Sequence, residues 1–207
     1  MKGTIVTGGN LIDASLLLKY TKKSDLIIGV DKGVELLVNN NISMDYALGD
    51  FDSIIDKSLL KSKNIEKVLT LNPIKDVSDT HAAVELAIER KAKIIYILSG
   101  IGSRMDHTLS NVSLLKRLYE LGIEGFIIDN NNRIRYGKNV NEIDREYDYV
   151  SVIPLEDGVK VTTEGFFYKT EQLNLEYSQS RFLSNVLNKG TGLLEIEGSA
   201  LIIESRD

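Results

Sequence analysis

The chain has 207 residues, 43% of them hydrophobic, with 25 basic against 30 acidic side chains and a net charge of −5. That length allows one large domain or two small ones with a folded core, and the negative balance excludes a field able to hold a nucleic-acid backbone, so no nucleic-acid partner is expected. The lack of cysteine excludes disulfide frameworks and thiolate metal sites. With neither a signal peptide nor a long apolar run near Met1-Lys2-Gly3, the expectation is a soluble, cytoplasmic protein with no membrane partner.

Read in order, the first part alternates strand and helix. Residues 4–7 form a short β-branched run ending at Gly8-Gly9, and residues 11–20 carry apolar side chains at helical spacing. Residues 26–30 predict a second strand ending at Asp31, with a helix over 34–40, and residues 46–48 a third ending at Gly49-Asp50. A fourth strand at 68–71 leads through Asn72-Pro73 to a helix over about 78–90, with Asp79 in its first turn beside Ser78. A fifth at 94–98 ends in Ser99-Gly100-Ile101-Gly102, and a helix over about 106–121 precedes a sixth strand at 126–129. This alternation predicts a Rossmann-like α/β domain with a parallel sheet and helices on both faces.

After Asn130-Asn131-Asn132 the helical period gives way to short alternating or β-branched runs at 134–136, 149–153, 159–163, 193–196 and 201–203, punctuated by glycines. Such runs predict an antiparallel β-sandwich or small barrel. The expected domains are therefore 1–131 and 132–207.

Chemistry concentrates where the parallel strands end, the edge at which open α/β sheets bind ligands. Asp50 and Asp52 in Gly49-Asp50-Phe51-Asp52-Ser53 point the same way on extended backbone and make a hard-oxygen site suited to Mg²⁺ and its phosphates. The plainer alternative is a cap, by Asp52 or Ser53, on a helix starting at Ile54. Asp79 likewise suits a helix dipole with or without a ligand. Gly100, Gly102 and Ser103 let backbone amides approach a phosphate, or simply turn the chain; Arg104 is a phosphate cation or a surface ion-pair partner; His107 is a substrate contact or a structural helix-start residue. What turns and caps do not require is an excess of acids at one edge together with isolated cations, Lys75 and Arg104. Carboxylates that hold a metal and a cation that stabilises a transferring group are what a nucleoside triphosphate site needs.

Gly49-Asp50-Phe51-Asp52-Ser53, then Lys75-Asp76-Val77-Ser78-Asp79-Thr80, then the run from Gly102-Ser103-Arg104 to Asn111, and finally Ser180-Arg181-Phe182-Leu183-Ser184-Asn185 resemble, in that order and spacing, the thiamine pyrophosphokinase family. The resemblance implies an α/β nucleotide domain followed by a β-sandwich that binds thiamine and dimerises. It implies transfer of diphosphate from ATP to the hydroxyl of thiamine, giving thiamine diphosphate and AMP with Mg²⁺. By position, Asp31, Asp50, Asp52 and Asp79 match the metal and catalytic acids, Lys75 a phosphate-side position, and Arg104 with Asp106 the arginine-aspartate pair. Asp31 also falls, with Gly100, Gly102, Ser103 and Arg104, on the nucleotide side, while Asp106, His107, Ser184 and Asn185 fall on the thiamine side of a homodimer. The chain departs from the family's pattern at Val30-Asp31-Lys32-Gly33-Val34 and at Gly102-Ser103-Arg104, and it has no tryptophan to stack on a thiamine ring. A diphosphokinase for a pterin-like alcohol and a non-catalytic nucleotide- or metal-sensing module are the alternative readings.

Overall fold

The computed structural model describes residues 1–54, 56–71 and 77–207, which form a mixed α/β protein of two compact units, Met1–Asn130 and Asn131–Asp207. The predicted cation Lys75 lies outside the described residues. Among those described, no helix is long and apolar enough to cross a membrane.

In the first unit the chain runs β1 (Lys2–Val6), α1 (Ala14–Thr21), β2 (Leu26–Val30), α2 (Lys32–Asn39), β3 (Met44–Gly49), a 3₁₀ turn (Lys57–Lys61) and β4 (Ile65–Thr70). It continues through α3 (Asp79–Glu89), β5 (Ile94–Leu98), α4 (Met105–Glu120) and β6 (Glu124–Ile128). All six strands pair in parallel, in the order β6-β5-β1-β2-β3-β4. The chain walks outward from β1 to β4, then returns to the other side of β1 to lay down β5 and β6. Adjacent loops after β1 and β5 therefore diverge and leave a crevice at the carboxyl edge. Side chains from β1, α1, α2 and β3, including Val6, Leu17, Leu37 and Ala47, are fully buried in one core. Burying four such aliphatic or methyl-bearing side chains contributes on the order of a few kcal/mol.

Two differences from the sequence reading have local causes. The predicted helix at Ile54 is absent; the 3₁₀ turn begins after Asp56, whose carboxylate accepts the Ser58 N–H at 2.9 Å. Neither Asp52 nor Ser53 caps a helix there. β4 starts three residues earlier than predicted, because Ile65-Glu66-Lys67 lie on an edge strand where charged side chains face solvent.

The second unit contains β7 (Asn132–Asp144), β8 (Tyr149–Pro154), β9 (Val159–Glu164), β10 (Leu173–Leu175) and β11 (Thr191–Ser205). β11 is the hub: it pairs antiparallel with β7 along its length, with β9 through its first half and with β8 through its second. The runs predicted as two strands are this single strand. Its register shifts between Ile196 and Ala200, where Gly198 has φ +102°, so the glycine bends a strand instead of ending it. Val152, Val161, Phe166, Leu194 and Ile202 form the buried centre of this unit.

Candidate active site

The crevice of the first unit holds about 560 Å³, within the range of small-molecule sites. Its floor is glycine: Gly9 lies so close to the β5 loop that a Cβ there would sit 2.2 Å from the Ser99 carbonyl oxygen. The Gly9 N–H donates to that carbonyl at 3.0 Å, and the Thr7 hydroxyl donates to it at 2.5 Å. From the other wall, α4 ties down the glycine loop. The Thr108 hydroxyl accepts the Gly102 N–H at 3.1 Å, and the buried Asn111 amide donates to the Gly100 carbonyl at 2.8 Å. These bonds fix the loop backbone before any ligand arrives.

Acids meet at the β2 and β3 ends. Asp31 occupies the cap position of α2 but makes no side-chain capping bond, so helix capping does not account for it. One of its carboxylate oxygens is buried without a hydrogen-bond partner, and that oxygen fills the space where Gly49 has no Cβ. Burial, reinforced by the charges of Asp79, Asp50 and Asp52, pushes the Asp31 carboxyl up to about 6. A carboxylate raised by desolvation and like charge in a cleft is a mark of a functional site. The loop beyond is also shaped by its own acid, since the Asp50 carboxylate accepts the Asp52 N–H at 3.1 Å. Asp31, Phe51 and Ser99, at the ends of β2, β3 and β5, all have positive φ, a strain of about 1–3 kcal/mol each that tends to gather at such sites.

Asp31, Asp50, Asp52 and Asp79 all line the crevice, as do Gly100, Gly102, Ser103, Arg104 and His107. Ser78 caps α3 by accepting the His81 N–H at 3.2 Å, which leaves Asp79 in the first turn. Arg104 and Asp106 form a solvent-facing pair at 2.6 Å, and Asp106 is not among the lining residues; the Arg104 hydrogen bond holds its carboxyl below the ordinary range. Ser184 and Asn185 belong to the second unit. Ser184 has φ +54°, and Asn185 is buried. Sequence reasoning did not single out Thr7, Lys32, Thr108 or Asn111, all of which line the crevice. Thr7 and Lys32 flank Gly8 and Asp31 in sequence, and helical spacing from Arg104 would have put Thr108 and Asn111 on one face of α4.

No three acidic or imidazole side chains among the described residues stand close enough to chelate an ion unaided. The donor set nevertheless fits a hard cation that keeps most of its waters and takes one or two carboxylates plus phosphate oxygens, as Mg²⁺ does. The lone buried oxygen of Asp31 and the crowding that raises its carboxyl are what such a cation would relieve.

A parallel sheet with a glycine-floored, acid-walled crevice at its switch point defines the class: an α/β protein built to hold a phosphorylated ligand. Two family models cover nearly the whole chain, thiamin pyrophosphokinase, catalytic domain, over residues 17–127 and thiamin pyrophosphokinase, vitamin B1 binding domain, over residues 132–202. Thiamine pyrophosphokinase of Bacillus subtilis (strain 168) is 33% identical over 98% of both chains. A crystal structure of the Bacillus subtilis protein superposes with a TM-score of 0.91 at 31% identity over 100% of both chains. The Geobacillus thermodenitrificans protein gives 0.86 at 29% over 100% of this chain and 98% of that one. The chain belongs to the thiamine pyrophosphokinase family and is an enzyme.

Proposed function

We propose that the protein transfers the diphosphate group of ATP to the hydroxyl of thiamine. The observation that carries this most directly is the acid-crowded, glycine-floored crevice in a chain that matches both family domains end to end. In this reading Met1–Asn130 is a Rossmann-like nucleotide domain and Asn131–Asp207 a β-sandwich that binds thiamine. The thiamine hydroxyl oxygen attacks the β-phosphorus, the bond from that phosphorus to the α–β bridging oxygen breaks, and AMP leaves with the bridging oxygen. Bound Mg²⁺ would neutralise phosphate charge, and Asp31, Asp50, Asp52 and Asp79 would hold it. The amides of Gly100, Gly102 and Ser103 cradle phosphate oxygens, and Arg104, with Lys75, stabilises charge on the transferred group. A loose transition state asks for positioning more than for a strong base, so Asp106 and His107 serve to orient thiamine at the mouth of the site. Thiamine is a cation, which acidic walls favour.

We further propose that the working enzyme is a cytoplasmic homodimer whose thiamine pocket draws on both subunits, with Ser184-Asn185 on the thiamine side. The test is incubation with ATP, Mg²⁺ and thiamine: AMP and thiamine diphosphate should form in equal amounts. ADP as the nucleotide product, or no dependence on thiamine, would overturn the reading. Sedimentation showing a fully active monomer would overturn the shared pocket.

A further inference from the structure

Asn185 sits in the second unit with 3% of its surface exposed. Its backbone pairs with Val150 through two bonds, the Val150 N–H donating at 2.8 Å and the Asn185 N–H donating at 2.9 Å. Its side chain reaches across to a different segment. The amide oxygen accepts the Tyr168 N–H at 3.0 Å and the Val186 N–H at 2.9 Å, and the amide nitrogen donates to the Tyr168 carbonyl at 2.8 Å. Both lone pairs of the oxygen and one of the two N–H groups are thereby used. A buried carboxamide with that occupancy is poorly placed to recognise a ligand itself. What it does is clasp the backbone of one residue, Tyr168, from both sides, as a neighbouring strand would.

The clasped segment has two faces. Phe166 is fully buried in the core of the unit, whereas Phe167 and Tyr168 are 65% and 62% exposed. The two exposed rings meet edge to face, with centroids 5.0 Å apart and planes at 90°. The Phe167 N–H donates to the Val186 carbonyl at 2.8 Å, and the Thr163 hydroxyl accepts the Thr170 N–H at 2.9 Å, so the backbone is held before, at and after the pair. Two large aromatic rings on a rigid backbone in water are costly unless something covers them. Their quadrupoles suit a flat cationic ring system, and this chain has no tryptophan to play that part.

Resting on the function proposed above, we propose that Phe167 and Tyr168 form the surface on which the thiamine rings lie, and that Asn185 is a positioning residue that acts through Tyr168 without touching the ligand. The pair falls inside the segment matched by the vitamin B1 binding domain. Tyr168→Ala, at an exposed position where folding is not at stake, should raise the KM for thiamine by about tenfold or more and leave kcat and the KM for ATP within about twofold, as expected when binding common to ground and transition states is lost. Asn185→Ala should reproduce that split in a folded protein. Asn185→Asp, which keeps the acceptor but loses the donor to the Tyr168 carbonyl, should fall between it and the wild type.

Wild-type protein that makes thiamine diphosphate while Tyr168→Ala keeps a normal KM for thiamine overturns the inference and spares the function. Wild-type protein inert towards thiamine overturns both. An Asn185→Ala protein with a wild-type thiamine KM overturns the positioning role. Sedimentation completes the test: a Phe167→Ala/Tyr168→Ala protein that dissociates to monomers, where the wild type is a dimer, would show that a second copy of the chain covers the rings, and would also overturn the inference.

Discussion

Each unit carries a cluster of charge, and the two clusters are built on opposite principles. In the second unit Glu204 is fully buried, yet Arg133 donates to it and Arg135 lies 3.7 Å away; Arg133 also reaches Asp144 at 3.0 Å and Glu146 at 2.9 Å. In the first unit Asp31 is crowded by Asp50, Asp52 and Asp79, and no cation appears among the causes that shift it. Opposite charges that satisfy one another serve structure, and removing one partner strands the other in a low-dielectric interior. Like charges gathered in an open crevice destabilise the fold and persist because a ligand uses them. The comparison predicts which substitutions damage folding and which damage turnover.

The largest effect should come from Glu204→Ala. It leaves Arg133 and Arg135 buried without their shared partner and should cost about 3–5 kcal/mol of stability, read by denaturant unfolding. A loss below about 1 kcal/mol would make this network no different from a surface ion pair. Asp52→Asn keeps its volume and should lower turnover by roughly 10²-fold or more at unchanged stability. Near-normal turnover in that variant would remove Asp52 from the site.

Arg104 sharpens the comparison because it is an exposed, paired cation at the rim of the acid-rich crevice. If its role is to stabilise the transferring phosphates, Arg104→Ala should lower kcat/KM by about 30-fold or more; a change under about fivefold would reduce it to a surface partner of Asp106.

The smallest predicted effect has the opposite sign. The folded-state carboxyl of Asp31, near 6, lies above its ordinary value of 3.8, so the folded protein holds that proton more tightly than the unfolded chain does. The resulting stabilisation is fully present below the unfolded value and is lost as pH rises through about 6. Asp31→Asn, compared without ligand, should therefore be more stable than the wild type at pH 8 by about 1 kcal/mol, a figure discounted for the partial exposure of the group. The gain should vanish near pH 4, and equal unfolding midpoints at pH 8 would show that Asp31 carries no such burden.

Much of this was legible in the chain because buried parallel strands write continuous apolar runs. Ile94–Leu98 matches its prediction end to end, and the acids stand where such runs stop. What escaped depends on partners distant in sequence. The helix read from residue 11 begins at Ala14, since Asn10 donates to the Ile101 carbonyl and Asp13 to the Asn130 side chain, leaving Leu11 84% exposed. β10 is only three residues long, and the far half of β7 is largely polar and solvent-facing, so neither shows an apolar run. Within the site, charge marked Asp31 and Asp52. Thr7, Thr108 and Asn111 act by hydrogen-bonding backbone across the crevice, and neutral residues of that kind leave no local signal. Asn185 was visible as a motif residue, but its partner Tyr168 lies 17 positions away.

The central claim is that one charge cluster awaits a ligand and the other does not. Calorimetric titration of Mg²⁺ with a non-hydrolysable ATP analogue into wild-type, Asp52→Asn and Glu204→Gln proteins, at a temperature where all three are folded, tests it most directly. Glu204→Gln should bind as the wild type does, and Asp52→Asn should bind at least about tenfold more weakly, the order expected for a lost metal contact. Wild-type affinity in Asp52→Asn, or lost affinity in folded Glu204→Gln, would contradict the account.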